Sequence, residues 1–343
     1  MLKFTASIKH NHVWIAFKMY RPAELRAGNI IRDIDTCLKI GMITQEDLQT
    51  KNIVLSSLME GQDYQEYLLA VATLKTQTWF DESRCFWIGT VFNKVDHPNI
   101  TMLPYYMANF ASILTEYNWT ACQRDRYFVC LLRRDSPSRR KIAKTILDNY
   151  PDEDYRISYR SYLDKSEYDP VIQRDAPLLL DIISTQHGFD GFPIGGILQC
   201  VVNLIAETSI QDDVSDYCWG SMFVTEKTFK SFGWRQIPLW LAVPGMVEHV
   251  RAAGFDLFDD WLENHDYDSI LSQELRFQRV FEILDNCIEK IKLHGGPDQV
   301  SQLLSSRFDH NIEVIKKLDQ QNTADFLNFC QRSDNLNSSK ISG

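Results

Sequence analysis

The chain has 343 residues, of which 44% are apolar and 24% charged, with a net charge of −10. That length exceeds what one hydrophobic core usually serves, so two domains are expected, and the balance excludes collagen-like, low-complexity and largely disordered classes. No run approaches the roughly 18 uninterrupted apolar residues of a membrane span, and the N-terminus carries Lys3, Lys9 and His10 without the apolar block of a secretion signal.

Eight cysteines are scattered without a C-x-x-C pair or a spaced histidine pair, which argues against a zinc site or a disulfide framework. They read as reduced thiols of a cytoplasmic protein. The acidity is uneven: residues 1–120 hold 11 Lys and Arg against 12 Asp and Glu, so the excess negative charge belongs to the rest. Within that acidic remainder, Arg124–Lys144 carries eight basic residues against two acidic ones. A solvated helix face and an anion site are both open readings of such a run.

In chain order, Ala23–Leu48 reads as one or two helices broken at Gly41, and Asn52–Leu58 (NIVLSSL) as a strand leading through Met59-Glu60-Gly61 to a helix over Gln65–Lys75. Cys85–Phe92 and Ile100–Leu103 follow as strands. Arg126–Leu132 (RYFVCLL) is a strand, and after a polar turn Arg139–Asn149 has helical spacing. Leu198–Ala206 is another apolar strand ending at Glu207. Met222–Val224 leads into a helix from Glu226 to Gly233, then come a strand at Ile237–Ala242 and a helix at Met246–Ala253. From Leu271 to Cys330 the pattern is helical apart from Gly295-Gly296-Pro297. This alternation predicts parallel sheets with crossover helices. The expected divisions are an N-terminal α/β domain at 1–121, a second at 122–285, C-terminal helices at 286–332 and a loose polar tail at 333–343.

The Arg-rich loop after RYFVCLL falls at the carboxyl end of a strand and before a helix N-terminus, where open α/β sheets bind anionic ligands. The densest constellation is residues 204–245. There Glu207 and Glu226 each end an apolar run, and Lys227 and Lys230 lie beside the second. A carboxylate accepts two ribose hydroxyls and a lysine offsets a diphosphate. The competing reading gives Glu226 a first-turn role on its helix dipole and leaves the lysines as surface residues.

The order E-T-S, an acidic insert and then V-T-E-K opening a helix resembles the donor-binding signature of the α1,3-fucosyltransferase-like group of GT-B glycosyltransferases. In that group E-N-S precedes a (Y/F)-V-T-E-K run. FVCLLRRDSPSRR (128–140) is similar to the group's phosphate-contacting strand and loop, and residues 247–268 resemble related glycosyltransferase-like proteins of phages and marine microbes. The likeness spans about 127–268, with Thr208 in place of Asn and Leu132 in place of a polar residue.

The resemblance implies a GT-B-like fold of two Rossmann-like domains facing a cleft. It also implies metal-independent, inverting transfer of a sugar from a nucleoside-diphosphate sugar to an acceptor hydroxyl, with no further cofactor. Glu226 would bind the ribose, Lys227 the diphosphate and Arg139 a phosphate oxygen, with Arg133 as helper and Thr208 and Ser209 lining the pocket. Glu207, Thr225 and Lys230 complete the donor-binding set. The acceptor would be a glycan or, for a phage-type DNA glycosyltransferase, a hydroxymethylated pyrimidine in DNA. A catalytically inactive nucleotide-sugar-binding module is the alternative from another class.

A general base is needed for the acceptor hydroxyl. Glu60 is the candidate, with His10, His12 and Asp81 as alternatives. Three D-x-D matches, at Asp33, Asp152 and Asp266, have the spacing of a metal-held diphosphate site but occur in unrelated contexts. Phe229, Phe232, Trp234 and Trp240 read as core or as a base-stacking group.

Overall fold

The computed structural model describes residues 6–9, 12–16, 28–57, 64–90, 97–108, 123–132, 136–159, 196–207 and 224–341. The chain divides into two compact units, one of Met1–Met107, Asp213–Val224 and Asp319–Gly343, the other of Ala108–Asp212 and Thr225–Leu318. Each unit holds its own, mostly parallel sheet, so the α/β expectation is met.

In the first unit β1 (Ala6–Lys9), β2 (His12–Ala16), β3 (Ile53–Ser57), β4 (Cys85–Gly89) and β5 (Ile100–Met102) lie side by side in chain order. β1 runs antiparallel to β2 and every later pairing is parallel. Helices α1 (Asn29–Lys39), α2 (Gln45–Thr50) and α3 (Tyr64–Leu74) make the crossovers. Parallel crossovers are right-handed, so a sheet wound steadily in one direction receives all of them on one face. The burial pattern obeys this. Val13, Ile15, Ile53, Leu55, Cys85 and Trp87 point into one cluster with Ile30 and Ile34 of α1, Leu48 of α2 and Ala70 and Leu74 of α3.

The alternate residues Trp14, Val54, Phe86 and Ile88 face the other way. That side is covered by the far end of the chain, where α9 (Ser305–Ile341) brings Phe329 and Cys330 onto it. Phe329 lies edge-on to Trp14 and Phe86 at centroid distances of 6.3 and 6.2 Å, and Phe326 stacks on Trp14 at 5.7 Å. Polar contacts fix the same helix: Asn52 Nδ2 donates to the Ser333 carbonyl at 2.5 Å, and Ser333 Oγ lies 2.8 Å from His12 Nε2.

In the second unit β6 (Arg126–Leu132), β7 (Tyr155–Tyr159), β8 (Cys200–Ala206) and β9 (Ile237–Leu241) are all parallel in the order β7-β6-β8-β9. The chain steps outward from β6 to β7 and then returns to the opposite side of β6. The winding direction therefore reverses between β6 and β8. Helices α4 (Pro137–Asn149), α5 (Glu226–Gly233), α6 (Met246–Ala252), α7 (Gln273–Leu293) and α8 (Pro297–Leu303) surround this sheet. α4 and α7 share the face of Phe128, which meets Tyr150 at 5.0 Å, with Phe281 beyond it at 6.4 Å. α5 lies on the opposite face, that of Trp240.

The structure departs from the sequence reading in four places. β1, β2 and β7 lie outside the strands expected from sequence, because ASIK and YRISY are interrupted by polar residues and HVWIA is too short for a clear periodic signal. The first segment of the first unit ends at Met107 instead of 121, and the unit takes in two later segments as well. The C-terminal helices do not form a separate element, since α9 from Asp319 onward groups with the first unit. The polar stretch expected to be a loose tail continues α9 as far as Ile341. No helix among the described residues is long and apolar enough to cross a membrane.

Candidate functional site

Open α/β sheets bind ligands where the winding reverses, at the carboxyl ends of the strands. In the second unit that place is the edge formed by the end of β6 at Leu132 and the end of β8 at Ala206, followed by Glu207. Two helices open on this edge. α4 begins at Pro137, whose missing N–H costs nothing at a first position, and Ser136 Oγ caps it by accepting the Arg139 N–H at 3.2 Å. Arg139 is 6% exposed, and its charge opposes the burial that pushes the Cys130 thiol up.

α5 begins at Glu226, and its cap residue Thr225 accepts the Lys227 N–H at 3.3 Å. Beneath it Glu207 is fully buried. Thr225 Oγ1 donates to Glu207 Oε2 at 2.5 Å and Thr228 Oγ1 donates to Oε1 at 2.7 Å. The Lys227 ammonium lies 3.8 Å from Oε2 and 3.3 Å from Thr225 Oγ1, with 22% of its side chain exposed. Trp240 Nε1 of β9 closes the group by donating to Thr228 Oγ1 at 2.9 Å. Glu207, Thr225 and Lys227 thus meet around the start of one helix, whose dipole favours an anion.

A third helix, α6, also follows a strand end, but its N-terminus is filled from within. Asp268 accepts from Val247 N at 3.1 Å and Glu248 N at 3.3 Å, while Gly245, with φ 83, donates to the Asp268 carbonyl. Burial raises the Asp268 carboxyl from its ordinary value, opposed by these N–H bonds. The preceding residues Glu263, Asn264 and His265 all have φ near 50°, a left-handed turn without glycine. Such a turn costs about 1–2 kcal/mol per residue. Arg279 holds it through Glu263 and Asp266, and buried His265 through the Leu257 carbonyl at 2.8 Å and Tyr267 Oη at 3.1 Å. A carbonyl only accepts, so Nε2 carries the proton and Nδ1 takes the Tyr267 O–H; Tyr267 Oη in turn accepts the Trp240 N–H at 3.1 Å. Burial pushes His265 down to about 4.

Lys230 lies in the last turn of α5. Glu60, Arg133, Thr208 and Ser209 lie outside the described residues, as does His10. Of the other candidate bases, His12 is fully buried against Ser333, and Asp81 caps a short 3-10 turn by accepting from Ser83 N at the amino end of β4. The aromatic group of Phe229, Phe232, Trp234 and Trp240 is core, at most 3% exposed, with Phe232 stacked on Phe255 at 4.1 Å. Two D-x-D matches are in internal use: Asp266 pairs with Arg279 and Asp268 caps α6, while Tyr155 donates to Asp152 at the opposite edge of the sheet. The third, Asp33 and Asp35, falls two residues apart on a helix, where side chains diverge.

The basic island is dispersed by geometry. A seven-residue strand separates its two ends by about 20 Å. At the amino end Arg124 is 3% exposed and donates to the carbonyls of Cys200, Trp234 and Arg235. Lys141 pairs with Glu274 and Lys144 with Asp148. Thr228 was missed because it reads as helix interior, and Trp240, considered for stacking a base, instead donates its indole N–H to Thr228. No protein-family model matches the chain, and no curated protein sequence matches it.

Proposed function

We propose that the protein is a nucleotide-sugar-dependent glycosyltransferase of GT-B-like architecture. The observation that carries this reading is the start of α5 at the reversal edge, where Thr225, Glu226 and Lys227 open a helix braced on buried Glu207. Glu226 binds the ribose hydroxyls and Lys227 the diphosphate, with Arg139 and the α4 N-terminus as further positive charge. In the reaction the acceptor hydroxyl oxygen attacks the anomeric carbon, its proton passes to a general base, and the bond to the diphosphate breaks with inversion. The nucleoside diphosphate leaves, and fixed positive charge offsets the charge that develops on it. Glu60 is the base in this reading. Six buried cysteines among the described residues that are not in disulfides fit a reducing, cytoplasmic setting.

The test is a thermal-shift screen of the full chain against nucleoside diphosphates and their sugars in EDTA. A ligand at 100 times its Kd adds about 2.7 kcal/mol of stability. One nucleotide class is expected to raise the melting temperature, and Arg139→Ala is expected to reduce that rise. A flat response across the panel overturns the proposal.

A further inference from the structure

Glu207 presents nothing to solvent, so a ligand in the α5 opening has no direct route to it. Keeping a carboxylate out of water is unfavourable unless hydrogen bonds and a counter-charge compensate, and an apolar residue of similar size serves packing better. Here the compensation comes from α5 and its cap, and each donor has a second attachment. Thr225 Oγ1 donates to Oε2 while accepting from the Lys227 N–H and its ammonium. Thr228 Oγ1 donates to Oε1 while accepting from Trp240 Nε1. The Glu207 backbone is pinned in turn, its N–H donating to the Leu241 carbonyl of β9 at 3.1 Å. The carboxylate therefore ties the helix cap, the direction of the Lys227 side chain and the ends of two strands into one unit.

A lysine side chain loses much rotamer freedom when it closes on an anion. Lys227 has given up part of that freedom before any ligand arrives. We infer that Glu207 is a positioning residue, which acts on a bound diphosphate through Lys227 and not by contact with it. This rests on the reading of Lys227 as the diphosphate's counter-charge. It also predicts a sign that simple electrostatics does not. Removing a negative charge beside an anion site strengthens binding if charge alone matters, whereas loss of positioning weakens it.

The experiment measures inorganic pyrophosphate affinity by titration calorimetry on the full chain and on Glu207→Gln, Lys227→Met and the double variant. Lys227→Met is expected to weaken binding roughly tenfold, the size of one charge-assisted contact. Glu207→Gln is expected to weaken it by a similar factor, with no further loss in the double variant, since residues acting through one another are not additive. Tighter or unchanged binding in Glu207→Gln overturns the inference, as does an additive loss in the double variant. If Glu207→Gln does not fold, Thr225→Val replaces it, with Thr225→Ser expected to restore affinity and failure of that rescue counting against the inference. Binding by wild type that Lys227→Met leaves intact removes the donor reading of Lys227 instead, and absence of binding to pyrophosphate and to every nucleoside diphosphate removes the proposed function with it.

Discussion

The two sheets are built from the same strand and helix units but wound differently. In the first, each new strand is added on the same side, so α1, α2 and α3 share one face and the other is left for α9. In the second, the direction reverses between β6 and β8, and helices cover both faces. A sheet wound one way has no gap between diverging crossovers, whereas a reversal opens a crevice at the carboxyl edge. The difference separates the two sheets: the first depends on a distant segment for its core, and the second holds the edge proposed to bind the ligand.

The largest expected effect tests the first half of this comparison. Phe329→Ala removes a 2%-exposed ring from between Trp14 and Phe86 and is expected to cost about 3–5 kcal/mol. Because the chain has two units, the loss is to be read locally, as faster amide hydrogen exchange in β2, β3 and β4 with β6, β8 and β9 unchanged. Equal acceleration in both sheets would break the comparison.

Acid acts on the second unit. His265 has its folded pKa pushed from 6.5 down to about 4 by burial, so between those values the unfolded chain binds the extra proton. Stability is then full above pH 6.5 and falls as pH drops toward 4, by on the order of 3 kcal/mol. His265→Gln should flatten that part of the melting-temperature profile. An unchanged slope would show that another group is responsible.

Glu226→Ala and Lys227→Ala sharpen the second half. Each is expected to weaken nucleoside diphosphate binding roughly tenfold; Glu226→Ala should change stability by less than about 0.5 kcal/mol, whereas Lys227→Ala, which leaves buried Glu207 without its counter-charge, should cost stability as well. Calorimetry alongside denaturant unfolding separates the two quantities. Lys141→Ala and Lys144→Ala should have the smallest effect, within about 0.5 kcal/mol on stability and none on nucleotide affinity, because each lysine is exposed and paired with a surface carboxylate.

Much of this architecture was legible in local patterns. RYFVCLL, LQCVVNLIA and IPLWLA are apolar runs of strand length, and each forms a strand of the second sheet. YRISY alternates with polar residues on an edge strand, and HVWIA is shorter than a clear periodic signal needs. The return of α9 was not legible, because a helical pattern reveals an apolar stripe and not which distant surface it covers. The site shows the same limit. V-T-E-K announces a helix cap with acid and base beside it, but the hydroxyls that engage Glu207 lie 18 and 21 residues away in sequence. The Arg124–Lys144 run misled in the opposite way: residues adjacent in sequence were carried to opposite ends of a strand.

The order in which the chain is synthesised bears on the first sheet. Its strands are complete by Met102, yet the ring that covers Trp14 and Phe86 is made roughly 200 residues later. At about 5–20 residues per second, that apolar surface waits on the order of 10–40 s for its partner. The whole of the second unit, which ends at Leu318, is synthesised in that interval, before the ring that completes the first. Chains truncated before Phe329 should therefore bind a general chaperone through β2, β3 and β4, and the full chain released from the ribosome should not.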